Sequence, residues 1–270
     1  MIYDLHNDLL TASMAERKRA LRDIGRSRPD MILCAVWTTE CRPDENDYIR
    51  ATDMDIPVPH RGAVEGLGGL RTDDLRGFLE RRRPAYVSLT WNGEDRMGGG
   101  CGCERPLTNV GRLAIGWLDE SGIPLDLSHL SDVATRDALD VSRGRVLITH
   151  TACRRLSAHP RNVTDDVARE VAARGGLVGV AAVPEFLDAS LGQGENCSRA
   201  EYIDHLAYLA DLIGTEHVAV GTDFCGTEHY PDGLSCYADI PALAEDMRAR
   251  GFGVKDIEKI LFENAERFFG

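Results

Sequence analysis

Residues 122–150 read GIPLDLSHLSDVATRDALDVSRGRVLITH. A short apolar run, Pro124 to Leu127, leads to an amphipathic stretch with helical spacing, Asp132 to Val141. A second apolar run follows, Val146 to Thr149. This is one strand–helix–strand step, the repeating unit of a parallel sheet. His129 follows the first run and His150 directly follows the second. A histidine past the end of each strand is where a parallel barrel carries its chemistry.

The same alternation extends in both directions. Strands are predicted at Ile2 to Leu5, Met31 to Trp37, Gly62 to Val64 and Ala85 to Leu89. Two more follow the opening stretch, at Leu177 to Ala181 and Val218 to Gly221. Helices are predicted at Ala12 to Ile24, Asn109 to Glu120, Asp165 to Ala173, Ala200 to Leu212, Ile240 to Arg250 and Asp256 to Phe268. Gly122, Gly175, Gly214 and Gly251 sit where helices should stop. Eight strands with interleaved helices is the count of a (β/α)₈ TIM-type barrel, and 270 residues suit one such barrel with short loops. A single domain over residues 1–270 is therefore expected. An open doubly wound sheet fits less well, because no Gly-rich phosphate fingerprint follows an early strand.

Composition narrows the partners. The chain is 43% hydrophobic and 28% charged, ordinary for a globular protein. Its 31 basic and 44 acidic residues leave a net charge of −13, which argues against nucleic acid or an anionic membrane as partner. The start, MIYDLHNDLL, lacks a basic segment and a clean apolar core, so it does not read as an export signal. No apolar run approaches the roughly 18 residues of a membrane span. The expectation is a cytoplasmic protein whose eight cysteines are mostly reduced. Cys101-Gly-Cys103 is not a zinc-knuckle spacing and reads as a Gly-rich loop with free thiols.

Six side chains share the expected rim: His6 and Asp8, Glu65, His129, His150 and Asp223. In a strand, His6 and Asp8 point to the same side, so both can reach one ion. Taken singly, each residue has a plainer reading: a capping Asp, a buried hydrogen-bonded His, a solvated Glu. Together on one rim they suit two borderline ions such as Zn²⁺. His6 and Asp8 would hold one and His129 and His150 the other. Glu65, set among small apolar residues in GAVEG, would bridge them. A carboxylated lysine is no substitute, since Lys18, Lys255 and Lys259 all lie away from strand ends. Water between two such ions would ionise near neutral pH and could attack an amide carbonyl. Asp223 is then a candidate proton shuttle, with a further ligand or a helix cap as its other readings.

These residues sit in segments that resemble the renal (membrane) dipeptidase family of binuclear zinc peptidases. The segments are DLHNDLL at 4–10, GAVEG at 62–66, SLTWN at 88–92 and GIPLDLSHLS at 122–131. VLITHTACRRLSAHPRNVTDDV at 146–167, VAVGTDFCG at 218–226, PDGL at 231–234 and ENAERFF at 263–269 complete them in the family's order. The resemblance implies an amidohydrolase-type barrel. It implies His6, Asp8 and Glu65 on one zinc, with Glu65, His129 and His150 on the other. It implies Asp223 as the catalytic aspartate and Arg161 as the group that binds a dipeptide's terminal carboxylate. It also implies tolerance for a C-terminal D-residue, and often a homodimer.

Three departures stand out. Trp91 occupies the place of a histidine in mammalian members and reads either as rim packing or as a pocket wall. Cys225 stands where the common pattern has a second Asp. The stretch between Asp30 and His60 is short for the family. The leading expectation is a metal-dependent dipeptidase. A barrel hydrolase of a lactone, another small amide or a peptide-like biosynthetic conjugate is the alternative, with a non-catalytic binding protein as a third reading.

Overall fold

The computed structural model describes residues 1–39, 42–192 and 195–270. Eight strands occur in chain order: β1 Tyr3–Asn7, β2 Met31–Trp37, β3 His60–Glu65, β4 Val87–Ser88, β5 Leu125–Asp126, β6 Val146–Thr151, β7 Val178–Val180 and β8 Val218–Val220. Each pairs parallel with the next, in the order β1 through β8. The ring closes from β8 back to β1. Asp223 N–H donates to His6 O (3.1 Å), and Asp8 N–H donates to Phe224 O (2.9 Å). The fold is the expected TIM-type α/β barrel.

The strand sequences explain why both faces are covered. Parallel strands packed by helices outside and side chains inside read as near-continuous apolar runs. Within β2, β6 and β8 successive residues divide between two apolar clusters, as the two-residue strand period requires. Leu33, Leu147 and Ala219, with Leu5 and Ala63, belong to the smaller cluster that fills the barrel. Ile32, Cys34, Val146, Ile148, Val218 and Val220 belong to the larger one beneath the helices.

The helices are α1 Met14–Ser27, α2 Glu45–Thr52, α3 Leu75–Arg82, α4 Asn109–Ser121, α5 Asp132–Val141, α6 Asp165–Ala173, α7 Pro184–Leu187, α8 Arg199–Ile213, α9 Ile240–Arg250, α10 Val254–Glu258 and α11 Asn264–Phe269. A π-helical turn, Lys259–Glu263, joins the last two, so the single closing helix expected from sequence is interrupted. The short helices α2 and α3 fall in stretches where no helix was expected. Each is started by an aspartate: Asp44 Oδ1 accepts from Asp47 N–H (2.9 Å), and Asp74 Oδ1 from Gly77 N–H (2.9 Å). The expected strands Ala85 to Leu89 and Pro124 to Leu127 are trimmed to two paired residues each. β3 begins earlier than expected and ends on Glu65 itself. Among the described residues, no helix is long and apolar enough to cross a membrane. Cys34, Cys101, Cys103, Cys153, Cys197, Cys225 and Cys236 are free thiols; Cys41 lies outside the described residues.

Candidate metal centre

All six rim residues named from the sequence converge. His6 lies in β1 and Asp8 directly follows it, Glu65 closes β3, His129 follows β5, His150 lies in β6 and Asp223 follows β8. All are buried: His6 is 0% exposed, Glu65 3% and His150 1%. His129 and Asp223 hold left-handed backbone, with φ of 71° and 60°. Non-glycine residues reach that region at a cost of roughly 1–3 kcal/mol, which the surrounding fold must meet.

The three imidazoles are each fixed through Nδ1. His129 Nδ1 meets Asn92 Oδ1 at 2.8 Å, and His6 Nδ1 meets the Tyr86 hydroxyl at 2.7 Å. His150 Nδ1 meets Thr149 Oγ1 at 2.8 Å, and that hydroxyl donates to Asp126 Oδ2 at 2.6 Å. Thr149 therefore accepts from His150, and Asn92 Oδ1 accepts from His129. Both rings carry their proton on Nδ1, leaving an Nε2 lone pair. Those two Nε2 atoms lie 2.8 Å apart, and Glu65 Oε1 lies 2.7 Å from the Nε2 of His129. Three acceptors crowded together in this way repel unless a cation sits among them.

A second group forms around His6. Its Nε2 faces Asp8 Oδ2 at 3.5 Å, Asp223 Oδ1 at 3.7 Å and Glu65 Oε2 at 3.8 Å. It is buried yet hydrogen-bonds none of them. Two sets of ligand atoms lie within 4.8 Å of one another: His6, Glu65 and His150, and His6, Asp8 and Asp223. Glu65 turns one oxygen toward each group, as a bridging carboxylate must. Buried His, Glu and Asp of these types fit divalent metal, because such a cluster is costly without compensating positive charge.

The electrostatics carry the same signature. Burial lowers the pKa of His129 and His150 far below the ordinary imidazole value, with the Arg161 and His6 charges adding to it. Burial also opposes charge on His6. There the ion pairs with Asp8, Glu65 and Asp223 win and hold its pKa up at about 10. Desolvation raises Glu65 to about 7 and Asp223 to about 6, although His6 pulls both down.

A cleft of about 360 Å³ opens over the cluster, lined in part by Asp8, Glu65, His129 and Asp223. Arg161 also lines it and is 7% exposed. Its Nη2 donates to His150 O (3.2 Å), and its guanidinium carbon sits 5.2 Å from the centre of the Phe186 ring. Among the described residues, no carboxylate lies within salt-bridge distance of it; burial lowers its pKa. Trp91 forms a wall, its ring 6.1 Å from that of His129 and 5.1 Å from that of Trp37.

Several residues here escaped the sequence reading: Tyr86, Asn92, Asp126, Thr149 and Trp37. Cys101 and Cys103 are free thiols, as expected, but their loop also supports the cluster. Cys101 N–H donates to His129 O (2.7 Å), and its thiol donates to Asn92 Oδ1 (3.1 Å). Gly100 makes that approach possible, since a Cβ there would lie 1.8 Å from Trp91 O.

A parallel barrel with a buried His–carboxylate cluster at its C-terminal rim defines an amidohydrolase-like metallohydrolase scaffold. The profile of the membrane dipeptidase family, peptidase family M19, matches residues 64–270, and the chain belongs to that family. It is 35% identical over 143 residues to the dipeptidase ataJ of Aspergillus terreus, covering 53% of this chain and 34% of that protein. The chain thus spans less than half the length of the first curated relatives it matches. Two solved structures share the fold. One is a dipeptidase AC of metallopeptidase family M19, at TM-score 0.85 and 21% identity, covering 99% and 97% of the two chains. The other is a metallopeptidase from Rhodobacter sphaeroides liganded with a phosphinate mimic of L-Ala-D-Ala, at TM-score 0.81 and 20% identity, covering 99% and 98%.

Proposed function

We propose that this M19-family hydrolase cleaves the peptide bond of small dipeptides with two zinc ions. His6, Asp8 and Glu65 would hold one ion, and Glu65, His129 and His150 the other. Bound there, the ions would supply Lewis acidity at the scissile carbonyl and lower the pKa of water. Every other role falls to the chain. Tyr86, Asn92 and the Thr149–Asp126 pair orient the three rings. Asp223, whose carboxyl has a pKa of about 6 before metal enters, accepts the proton of the attacking water and passes it to the leaving amine. The carbonyl gains an oxygen, the C–N bond breaks, and the amine departs with that proton. Trp91 closes the cleft on the His129 side.

The observation that carries the substrate assignment is Arg161. A buried guanidinium with no carboxylate partner among the described residues, in the same cleft as the ligand cluster, suits an anionic end on the substrate. A dipeptide's terminal carboxylate supplies one, in a bidentate contact. A lactone or neutral cyclic amide supplies none, which disfavours the alternative hydrolase readings. The experiment is hydrolysis of L-Ala-L-Ala and L-Ala-D-Ala beside a lactone and a cyclic amide, with metal content measured on the same sample. Chelator-sensitive cleavage of dipeptides alone is expected. Cleavage of the lactone or cyclic amide in preference to both dipeptides would overturn the assignment.

A further inference from the structure

The proposed orientation of the dipeptide makes the far end of the cleft informative. With the C-terminal carboxylate at Arg161 and the scissile bond over Glu65 and Asp223, the N-terminal residue faces the opposite wall. Glu16, Cys225 and Thr227 line both the cleft and a second cavity of about 400 Å³. The second cavity is as large as the catalytic cleft itself. The cleft alone lies near the bottom of the 300–1,000 Å³ range of small-molecule sites, and a dipeptide suffices to fill it. The added space serves no purpose for Gly or Ala at the N-terminal position.

The walls of this cavity select a chemistry. One side is α1, with Ala20 leaving room and Arg19 at the rim. The other is the segment after β8, where Phe224 meets Tyr230 and Tyr237 edge-on at 5.4 and 5.2 Å. Such aromatic walls take apolar, aromatic or cationic groups. Glu16, Asp23 and Glu228 outnumber Arg19 around them, which disfavours an anion.

The turn after β8 contributes Cys225 and Thr227 to both cavities. Cys225 has left-handed backbone, φ 71°, and its N–H donates to the Tyr230 hydroxyl at 2.8 Å. Gly226 must lack a side chain, since a Cβ would fall 2.2 Å from Asp223 Oδ1 and 2.3 Å from Asp8 Oδ2. The segment that positions Asp223 therefore also lines the side cavity.

We propose that this second cavity is the subsite for the substrate's N-terminal side chain, and that the enzyme prefers dipeptides or dipeptide conjugates bulky at that position and uncharged or cationic. The inference rests on the dipeptidase reading. Its test compares kcat/KM for Phe-Ala and Gly-Ala in the metal-loaded wild type, in Ala20→Phe and in Arg19→Trp. Ala20→Phe fills the cavity from α1. Arg19→Trp fills it from an exposed position, so it tests the same idea if the first variant fails to fold. The wild type is expected to favour Phe-Ala at least tenfold. Each variant should lose at least tenfold on Phe-Ala and change less than twofold on Gly-Ala. Equal wild-type rates on the two peptides, or equal losses in the variants, overturn the subsite and leave the dipeptidase reading intact. A metal-loaded wild type that cleaves neither peptide overturns both.

Discussion

Replacing Arg161 with Met removes one charge and keeps an apolar stem over Phe186. The magnitude follows from the surroundings of the guanidinium. Arg161 is 7% exposed, is anchored to His150 O and has no carboxylate partner among the described residues, so most of its desolvation precedes the arrival of substrate. A bidentate contact with a carboxylate then adds two charge-assisted hydrogen bonds, at roughly 1.5–3 kcal/mol each before competition from water. Taking the lower bound for both gives about 3 kcal/mol, or roughly 150-fold in kcat/KM. The assay pairs a free dipeptide with its C-terminal amide. The amide offers no charge to Arg161, so Arg161→Met should cost it less than about threefold. Some loss will be shared, because Arg161 also lowers the pKa of Glu65 and Asp223. The difference between the two substrates isolates the clamp. Metal content should stay at the wild-type level. The metal-free variant should melt no lower than the wild type, since a buried unpaired charge is lost. Equal losses on the free dipeptide and the amide would refute the carboxylate role.

Three other perturbations separate the remaining roles. Asn92→Asp keeps an oxygen for His129 Nδ1 and should retain metal, whereas Asn92→Ala should weaken metal affinity about 10–100-fold; competition with a chromogenic chelator reads both, and equal affinities would remove Asn92 as the support of His129. Asp223→Asn should keep metal and lower kcat by about 10²–10⁴-fold; a rate within a few-fold of wild type would take Asp223 out of proton transfer. His205 is buried and neutral, accepting from Cys153 N–H at 2.9 Å through Nδ1 and donating to Leu187 O at 3.0 Å through Nε2. Burial lowers its pKa from 6.5, so the unfolded chain binds the extra proton and stability falls as pH drops below 6.5. His205→Gln offers the same donor and acceptor without titrating, and its denaturant midpoint should fall less between pH 6.5 and 5; the wild-type excess slope is at most about 1.4 kcal/mol per pH unit. Parallel curves for the two proteins would contradict that assignment.

The reach of the sequence can be judged residue by residue. His129 and His150 were legible because each follows a short apolar run, and strand ends are fixed points of a barrel. His6, Asp8, Glu65 and Asp223 were legible for the same reason. Asp126 and Thr149 were not. They lie within or beside strands, and their partnership exists only once β5 and β6 pair with Asp126 opposite Leu147. Tyr86 likewise looked like one more apolar strand residue. The CGC loop carries the free thiols read from sequence, but its contact with His129 and Asn92 was not legible, because it depends on a close backbone approach that composition cannot express. Helices α2 and α3 were missed because eight residues give too little periodicity, and their starts depend on single aspartate caps. The side cavity had no sequence signature, since α1 and the post-β8 segment that wall it are far apart in the chain.

The most direct test of the central claim is a zinc titration of the chelated protein, read by hydrolysis of a free dipeptide. The account predicts no activity before zinc and a rise that saturates at about two equivalents per chain. Hydrolysis that persists in the chelated protein, or zinc binding that restores none, would contradict it.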